Sequence, residues 1–225
     1  MTEMRALVVG LLLVGAAPVH AQSSLAHPEI DFKGALYRAV FAQGAGALTS
    51  GDIAAVPDPL RERLSRFLIR RAAFKSAFQI SSSSFEEAAR DARKRALERA
   101  IVSLVEVPDV SRLAIEFITD APIAFEWEGN ADGPVAESAY AEKYLEPNPS
   151  SPLAPFVMLF IAHRQRAAFE AYDHEKNPAA EKIAAAKYLD HIQRARAARD
   201  VIYSLIADDI DRQPYVYLRT SKRPQ

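Results

Sequence analysis

No glycine or proline occurs between Pro59 and Pro108, and no glycine follows Gly133. These residues are the strongest interruptions of a helix, so most of the chain can form long helices. Apolar residues recur at helical spacing in the same regions, as at Leu60 and Leu64. Alternating β-branched runs joined by hairpin turns, which are typical of strands, are not found in the sequence. We therefore predict an all-α protein.

Capping residues and prolines divide the chain into helices. We expect antiparallel helical hairpins packed as a bundle or as a short α-solenoid. Helix 151–172 should be central, because its first half is apolar all round. The last helix should be unbroken, since apolar residues keep a 4-3-4-3-4 spacing from Tyr188 to Ile206, interrupted only by Arg199. The predicted helices are 29–43, 58–80, 84–106, 110–119, 134–146, 151–172 and 177–209.

The first 21 residues have the pattern of a secretory signal peptide. Arg5 precedes a mostly apolar run, and Val19-His20-Ala21 places small residues where a signal peptidase would cleave before Gln22. The apolar run is shorter than the ~20 residues that a membrane-spanning helix needs. We predict export to the periplasm or secretion, with no transmembrane segment after cleavage.

Composition excludes several classes of function. The chain has no cysteine, so it has no disulfide, thiol nucleophile or cysteine-ligated metal. The formal net charge is -1, and the basic residues of the third predicted helix (Arg90, Arg93, Lys94, Arg95 and Arg99) alternate with acidic ones. We interpret that helix as carrying a solvated charged face and predict no nucleic-acid partner.

Two segments of the second half resemble each other at an offset of 44 residues. Glu137 to Glu146 can be aligned with Glu181 to Asp190, with Glu, Ala, Lys, Tyr and Leu coinciding. Repeats of this length built from helix pairs form α-solenoids. Alanine-rich helices also match one another by chance, and the sequence leaves both interpretations open.

The stretch from Ala141 to Leu159 reads Ala-Glu-Lys-Tyr-Leu-Glu-Pro-Asn-Pro-Ser-Ser-Pro-Leu-Ala-Pro-Phe-Val-Met-Leu. A tyrosine-bearing helix that ends in Asn-Pro-x-Ser before an alanine- and aromatic-rich helix resembles the tetratricopeptide family. The resemblance extends over about residues 134–209 and implies a concave groove that binds a protein or peptide segment. The spacing of 44 residues and the lack of a third copy depart from the family pattern.

Together these observations predict an exported helical protein with a non-catalytic, protein- or peptide-binding role in the cell envelope. Its candidate partner-binding residues are Tyr140, Tyr144, Arg164 and Tyr188, the residue types expected to line such a groove. We predict no catalytic residue and no cofactor. The predicted organisation is a signal peptide (1–21), a helix and loop (22–57), a helical first half (58–132), tetratricopeptide-like hairpins (133–213) and a tail (214–225). The sequence leaves open whether Tyr215 to Tyr217 face solvent or a second subunit.

Two alternatives concern the region around the single tryptophan. Carboxylates near Trp127 could serve an envelope hydrolase, because acids beside a tryptophan are common in sugar-binding sites. Residues 128–135 resemble the start of an EF-hand loop, so Glu128, Asn130 and Asp132 are candidate ligands of a weak calcium site. Ala139 stands at the twelfth position, where a bidentate carboxylate would be required, which favours an ordinary polar turn.

Histidine spacing predicts no metal site on one helix. His163, His174 and His191 do not pair at the i, i+3 or i+4 spacing, although a zinc site assembled across helices is compatible with the sequence. His163 follows a buried apolar run, so we expect a core or interface histidine that is hydrogen-bonded to a carboxylate.

Overall fold

The computed structural model describes residues 61, 62, 65, 86–124 and 126–225. Throughout this part of the chain the regular structure is helical, which confirms the all-α prediction. The predicted signal peptide, helix 29–43 and most of helix 58–80 lie outside the described residues. The helices between residues 86 and 212 are α1 (Glu86–Leu104), α2 (Val110–Thr119), α3 (Asp132–Leu145), α4 (Ala154–His174), α5 (Pro178–Arg196) and α6 (Val201–Arg212).

The turn from α4 to α5 follows from local capping chemistry. The Asn177 side chain accepts a hydrogen bond from the backbone N–H of Ala180 (3.2 Å), and Pro178 occupies the first helical position. Lys176 adopts a positive φ of 58°, which lets the N–H of Asn177 donate to the Tyr172 carbonyl (3.0 Å). This short connection makes α4 and α5 neighbours in an antiparallel hairpin.

The prediction of one unbroken helix over 177–209 is wrong. The chain turns between Arg196 and Val201, so α5 and α6 are separate helices. The carboxylate of Asp200 caps α6 by accepting from the N–H of Ile202 (3.0 Å). The turn allows α6 to pack against both α4 and α5 and leaves Arg199 exposed.

The core forms around α4, as predicted for the central helix. This helix packs against α3, α5 and α6, while α1 packs against α2. The two groups share one apolar core. The Phe117 ring of α2 meets the Phe160 ring of α4 edge-on, with centroids 5.8 Å apart, and the Tyr203 hydroxyl of α6 donates to the Leu104 carbonyl at the end of α1 (3.1 Å).

The second half of α4 is buried although many of its side chains are polar. Every residue from His163 to Ala171 is buried, including Arg164, Arg166 and Glu170. Among the described helices, none is both long and apolar enough for a membrane crossing. Buried charges require internal partners. The contacts of α4 therefore define the candidate functional region.

Candidate functional site

The predicted partner-binding tyrosines of α3 are only partly buried and lie against α2. The Tyr140 hydroxyl donates to the Phe117 carbonyl (2.7 Å). The Tyr144 ring meets the Phe117 ring edge-on, with centroids 4.9 Å apart. These two tyrosines join α3 to α2, and the remaining surface of each is exposed to solvent.

The other two predicted partner-binding residues are interior. Arg164 and Tyr188 each have a relative exposure of 1%. The Tyr188 hydroxyl donates to Oδ1 of Asp211 on α6 (2.6 Å), and its ring lies 5.7 Å from the guanidinium carbon of Arg166. Both residues therefore have intramolecular partners and do not line an open groove in this structure.

Glu137 on α3 is completely buried at the centre of a charged cluster. Its Oε1 accepts from the indole Nε1 of Trp127 (3.0 Å) and from the backbone N–H of Ala124 (3.2 Å). Its Oε2 accepts from Nε of Arg164 (2.9 Å), and Nη2 of Arg93 lies 3.3 Å from Oε1. One carboxylate thus holds together α1, α3, α4 and the segment before α3.

Arg93 is the exception among Arg90, Arg93, Arg95 and Arg99 to the solvated charged face that we predict for the third helix. Its exposure is 6%, and its guanidinium also donates to the Ala124 carbonyl. Its neighbours Arg90, Arg95 and Arg99 are exposed. One arginine of the basic run therefore points inward because Glu137 supplies its countercharge.

Arg164 has aromatic as well as ionic partners. Its guanidinium carbon lies 4.0 Å from the ring centroid of Phe160 and 5.1 Å from that of Trp127. Burial lowers the pKa of Arg164 to about 10, an effect that Glu137 opposes and Arg93 reinforces. The side chain is cationic at neutral pH, so two guanidiniums share one carboxylate in the interior.

His163 lies beside this positive charge. Its Nδ1 is 3.3 Å from Nη1 of Arg164, and its ring is tilted against the Trp127 ring. Burial, followed by the nearby charges of Arg164, Arg93 and Arg166, lowers the pKa of His163 well below 6.5. His163 is buried, in agreement with the expectation of a core or interface histidine, and the guanidinium of Arg164 lies within hydrogen-bonding distance of its ring. The expected bond to a carboxylate stays a prediction.

Trp127 does not form the pocket that the hydrolase alternative requires. Its exposure is 1%, and the Tyr217 ring covers it edge-on with centroids 5.1 Å apart. Glu126 is half-buried, whereas Glu128 and Asp132 are exposed. The indole N–H donates its hydrogen bond to Glu137, ten residues further along the chain.

The candidate calcium residues lie on a tight turn. Glu128 and Gly129 have φ values of 50° and 79°, and the N–H of Asn130 donates to the Trp127 carbonyl (3.0 Å), as in a type I′ turn. The Asn130 side-chain oxygen accepts from the N–H of Asp132 (3.0 Å). Within the described ranges, no three His, Asp or Glu side chains come together as a possible metal site. Calcium binding by Glu128, Asn130 and Asp132 stays a prediction.

A second buried carboxylate, Glu170 on α4, holds the C-terminal segment, which we define as residues 213–223. Glu170 is completely buried and accepts from the consecutive backbone N–H groups of Val216 (3.0 Å), Tyr217 (2.7 Å) and Leu218 (3.1 Å). It also accepts from Nε of Arg166 (3.0 Å). Burial raises the pKa of Glu170, and these four donors oppose that shift.

Arg166 binds backbone carbonyls of the same segment. Its Nη2 donates to the carbonyls of Gln213 (3.0 Å) and Pro214 (3.3 Å). The side chain has an exposure of 1% and is enclosed by α4, Tyr188 and the C-terminal segment. Arg166 and Glu170 therefore bind both the carbonyls and the amides of a backbone that bends at residues 213, 214 and 216–218.

Further along, the C-terminal segment follows the end of α4 towards α5. The His174 ring nitrogen Nε2 lies 2.8 Å from the Arg219 carbonyl. The Thr220 hydroxyl donates to Asp173 (2.6 Å). Lys222 donates to both Asp173 (2.8 Å) and Glu181 (2.9 Å). The segment is thus anchored at several points along its length.

Sequence reasoning missed Glu137, Arg166 and Glu170. The partners of Glu137 are distant in sequence, so no spacing indicated them. Arg166 and Glu170 have the i, i+4 spacing of an ordinary surface ion pair. One signal was available in the sequence. Arg166 and Glu170 directly follow the apolar run of the central helix, and they could be exposed only if that helix left the core at this point.

Comparison with protein-family models, with curated proteins and with solved structures found no match to this chain.

Proposed function

We propose that this protein is exported and binds a protein or peptide segment in the cell envelope without catalysing a reaction. The observation that carries the proposal is the C-terminal segment, which lies on a helical surface and is held through its bent backbone by Arg166 and Glu170. Recognition through backbone groups is a general mode of peptide binding.

The helical arrangement supports the same proposal. The resemblance to tetratricopeptide repeats falls on α3 to α6, where α3, α4 and α5 are successive helices joined by short connections. Such hairpins present extended concave surfaces to peptides. Binding is favoured over hydrolysis because Trp127 is enclosed by Tyr217 and Glu137, so the acids beside it do not converge on an open site.

Selection from a displayed random-peptide library, with the chain lacking residues 1–21 as bait, tests the binding function. We expect enrichment of peptides that bind saturably to the folded chain. Failure to enrich any peptide, with the bait folded by circular dichroism, would contradict the proposal.

Export is tested separately by the intact mass of the protein made in a bacterial host. We expect the periplasmic or secreted form to have lost residues 1–21, as the Val19-His20-Ala21 pattern predicts. A protein that keeps Met1 and stays in the cytoplasm would contradict this part of the proposal.

A further inference from the structure

The C-terminal segment covers a continuous surface, which we call the segment-binding surface. This surface combines the Trp127 ring, the carboxylate of Glu170 and the acidic side chains at the end of α4 and the start of α5. The residues that line it include Trp127, Arg166, Glu170, Asp173 and Glu181.

Recognition on this surface depends mainly on the backbone. Three successive N–H groups donate to Glu170, and two successive carbonyls accept from Arg166. These bonds are available to a peptide of almost any sequence that adopts the same bent backbone, apart from proline at the donor positions. The affinity of the surface is therefore not restricted to the chain's own segment.

Side chains select at two positions. The Tyr217 ring packs on Trp127, and its hydroxyl accepts from the backbone N–H of Gly129. Five residues later, Lys222 contacts two carboxylates, those of Asp173 and Glu181. An aromatic residue followed at this distance by a lysine or arginine matches both features.

Charge complementarity indicates that a ligand of this surface is basic. Residues 213–225 include Arg219, Lys222 and Arg223 and no acidic residue. Lys222 contacts the carboxylates of Asp173 and Glu181, and Arg223 donates to the Asp211 carbonyl (2.9 Å). An acidic peptide would meet like charges here.

From these contacts we infer that the segment-binding surface is the ligand site of this protein. Its ligand is a basic peptide segment of a partner protein that adopts the same bent backbone, with an aromatic residue against Trp127 and a cation between Asp173 and Glu181. The inference rests on the proposed function and names the ligand class. The chain's own C-terminal segment is the intramolecular occupant that such a ligand displaces.

The occupant controls access because it follows α6 directly in the chain. A tethered segment acts at an effective concentration in the millimolar range, so a free peptide of equal intrinsic affinity competes poorly. Peptide binding should therefore become tighter when the chain's own segment is weakened and the surface is left unchanged.

The test uses the full chain with the double substitution Val216→Pro and Leu218→Pro. Proline removes two of the three N–H donors to Glu170 without altering any lining residue. The probe is a fluorescently labelled peptide with the sequence of residues 213–225. We expect it to bind the double variant about tenfold or more tightly than the unchanged chain, because the competitor has been weakened.

Two matched controls test whether the peptide binds at the segment-binding surface. Adding Glu170→Gln to the double variant should weaken peptide binding about tenfold or more, since charge-assisted bonds to three amides are lost. A peptide with alanine in place of the tyrosine and lysine equivalent to Tyr217 and Lys222 should also bind more weakly. If the double variant does not fold, the full chain with Tyr217→Ala and Lys222→Ala takes its place in the test. These two substitutions weaken only the side-chain contacts of the C-terminal segment.

Three results would overturn the inference. They are equal binding by the unchanged chain and the weakened variant, binding that is insensitive to Glu170→Gln, and a dimer formed by exchange of segments between two copies that leaves no site for added peptide.

The library selection distinguishes these failures from failure of the proposed function. Selected peptides that bind a chain carrying Glu170→Gln undiminished would contradict this site while supporting a peptide-binding role elsewhere on the protein.

Discussion

Arg164 contacts a single oxygen of Glu137 through two nitrogens, with Nε and Nη2 each 2.9 Å from Oε2. The other oxygen, Oε1, accepts from Trp127 and Ala124 and lies 3.3 Å from Nη2 of Arg93. This division allows one buried carboxylate to neutralise an arginine of α4 and to position the segment that precedes α3. Removing one member of such a cluster leaves a buried charge without compensation.

Glu137→Gln should therefore destabilise the fold strongly. We expect a loss of about 3–5 kcal/mol in the free energy of unfolding, because the guanidiniums of Arg164 and Arg93 lose their shared carboxylate. Denaturant unfolding followed by circular dichroism measures the loss. The control is Glu116→Gln, which removes the exposed ion pair with Arg112 (2.6 Å) and should cost less than about 1 kcal/mol. Equal effects of the two substitutions would contradict the assigned role of Glu137.

His163 should make stability depend on pH in the weakly acidic range. Because its pKa in the folded chain is well below 6.5, the unfolded chain takes up the proton first as the pH falls. This contribution to stability is complete above pH 6.5 and declines below it, by up to about 1.4 kcal/mol per pH unit. His163→Gln should remove that part of the slope in unfolding experiments between pH 7 and 5. An unchanged slope would show that His163 is not held neutral in the folded chain.

The sequence predicted the helices better than their ends and turns. The bounds of α2 and the central place of α4 follow from apolar periodicity and from prolines. The turn between α5 and α6 escaped prediction because it contains neither glycine nor proline and because the apolar spacing continues across it. Only Asp200, which caps α6, marked the new helix start.

The candidate site was less predictable because it depends on tertiary contacts. Glu137 and Arg164 are 27 residues apart, and Glu170 and Tyr217 are 47 apart. No local pattern reports such pairs. The residue types of Arg164 and Tyr188 favour a place in a groove, yet both side chains are buried. Arg164 donates to Glu137, and Tyr188 donates to Asp211.

Trp127, the single tryptophan, should report the position of the C-terminal segment. Tyr217→Ala removes the ring that covers the indole, so we expect red-shifted emission and faster quenching by acrylamide. The matched control is Tyr215→Ala, because the Tyr215 side chain is exposed and should leave the emission unchanged. Indistinguishable spectra for the two variants would contradict the contact between Tyr217 and Trp127.

Glu170 holds the C-terminal segment on α4 through the backbone N–H groups of Val216, Tyr217 and Leu218. Hydrogen–deuterium exchange of these three amides in the Glu170→Gln chain measures this contact, with Glu146→Gln as the exposed control. We predict exchange about tenfold or more faster at these amides in Glu170→Gln only, and a smaller increase at the amides of α4, because Arg166 loses its buried countercharge. Exchange at residues 216–218 that is the same in both variants and in the unchanged chain would contradict the account.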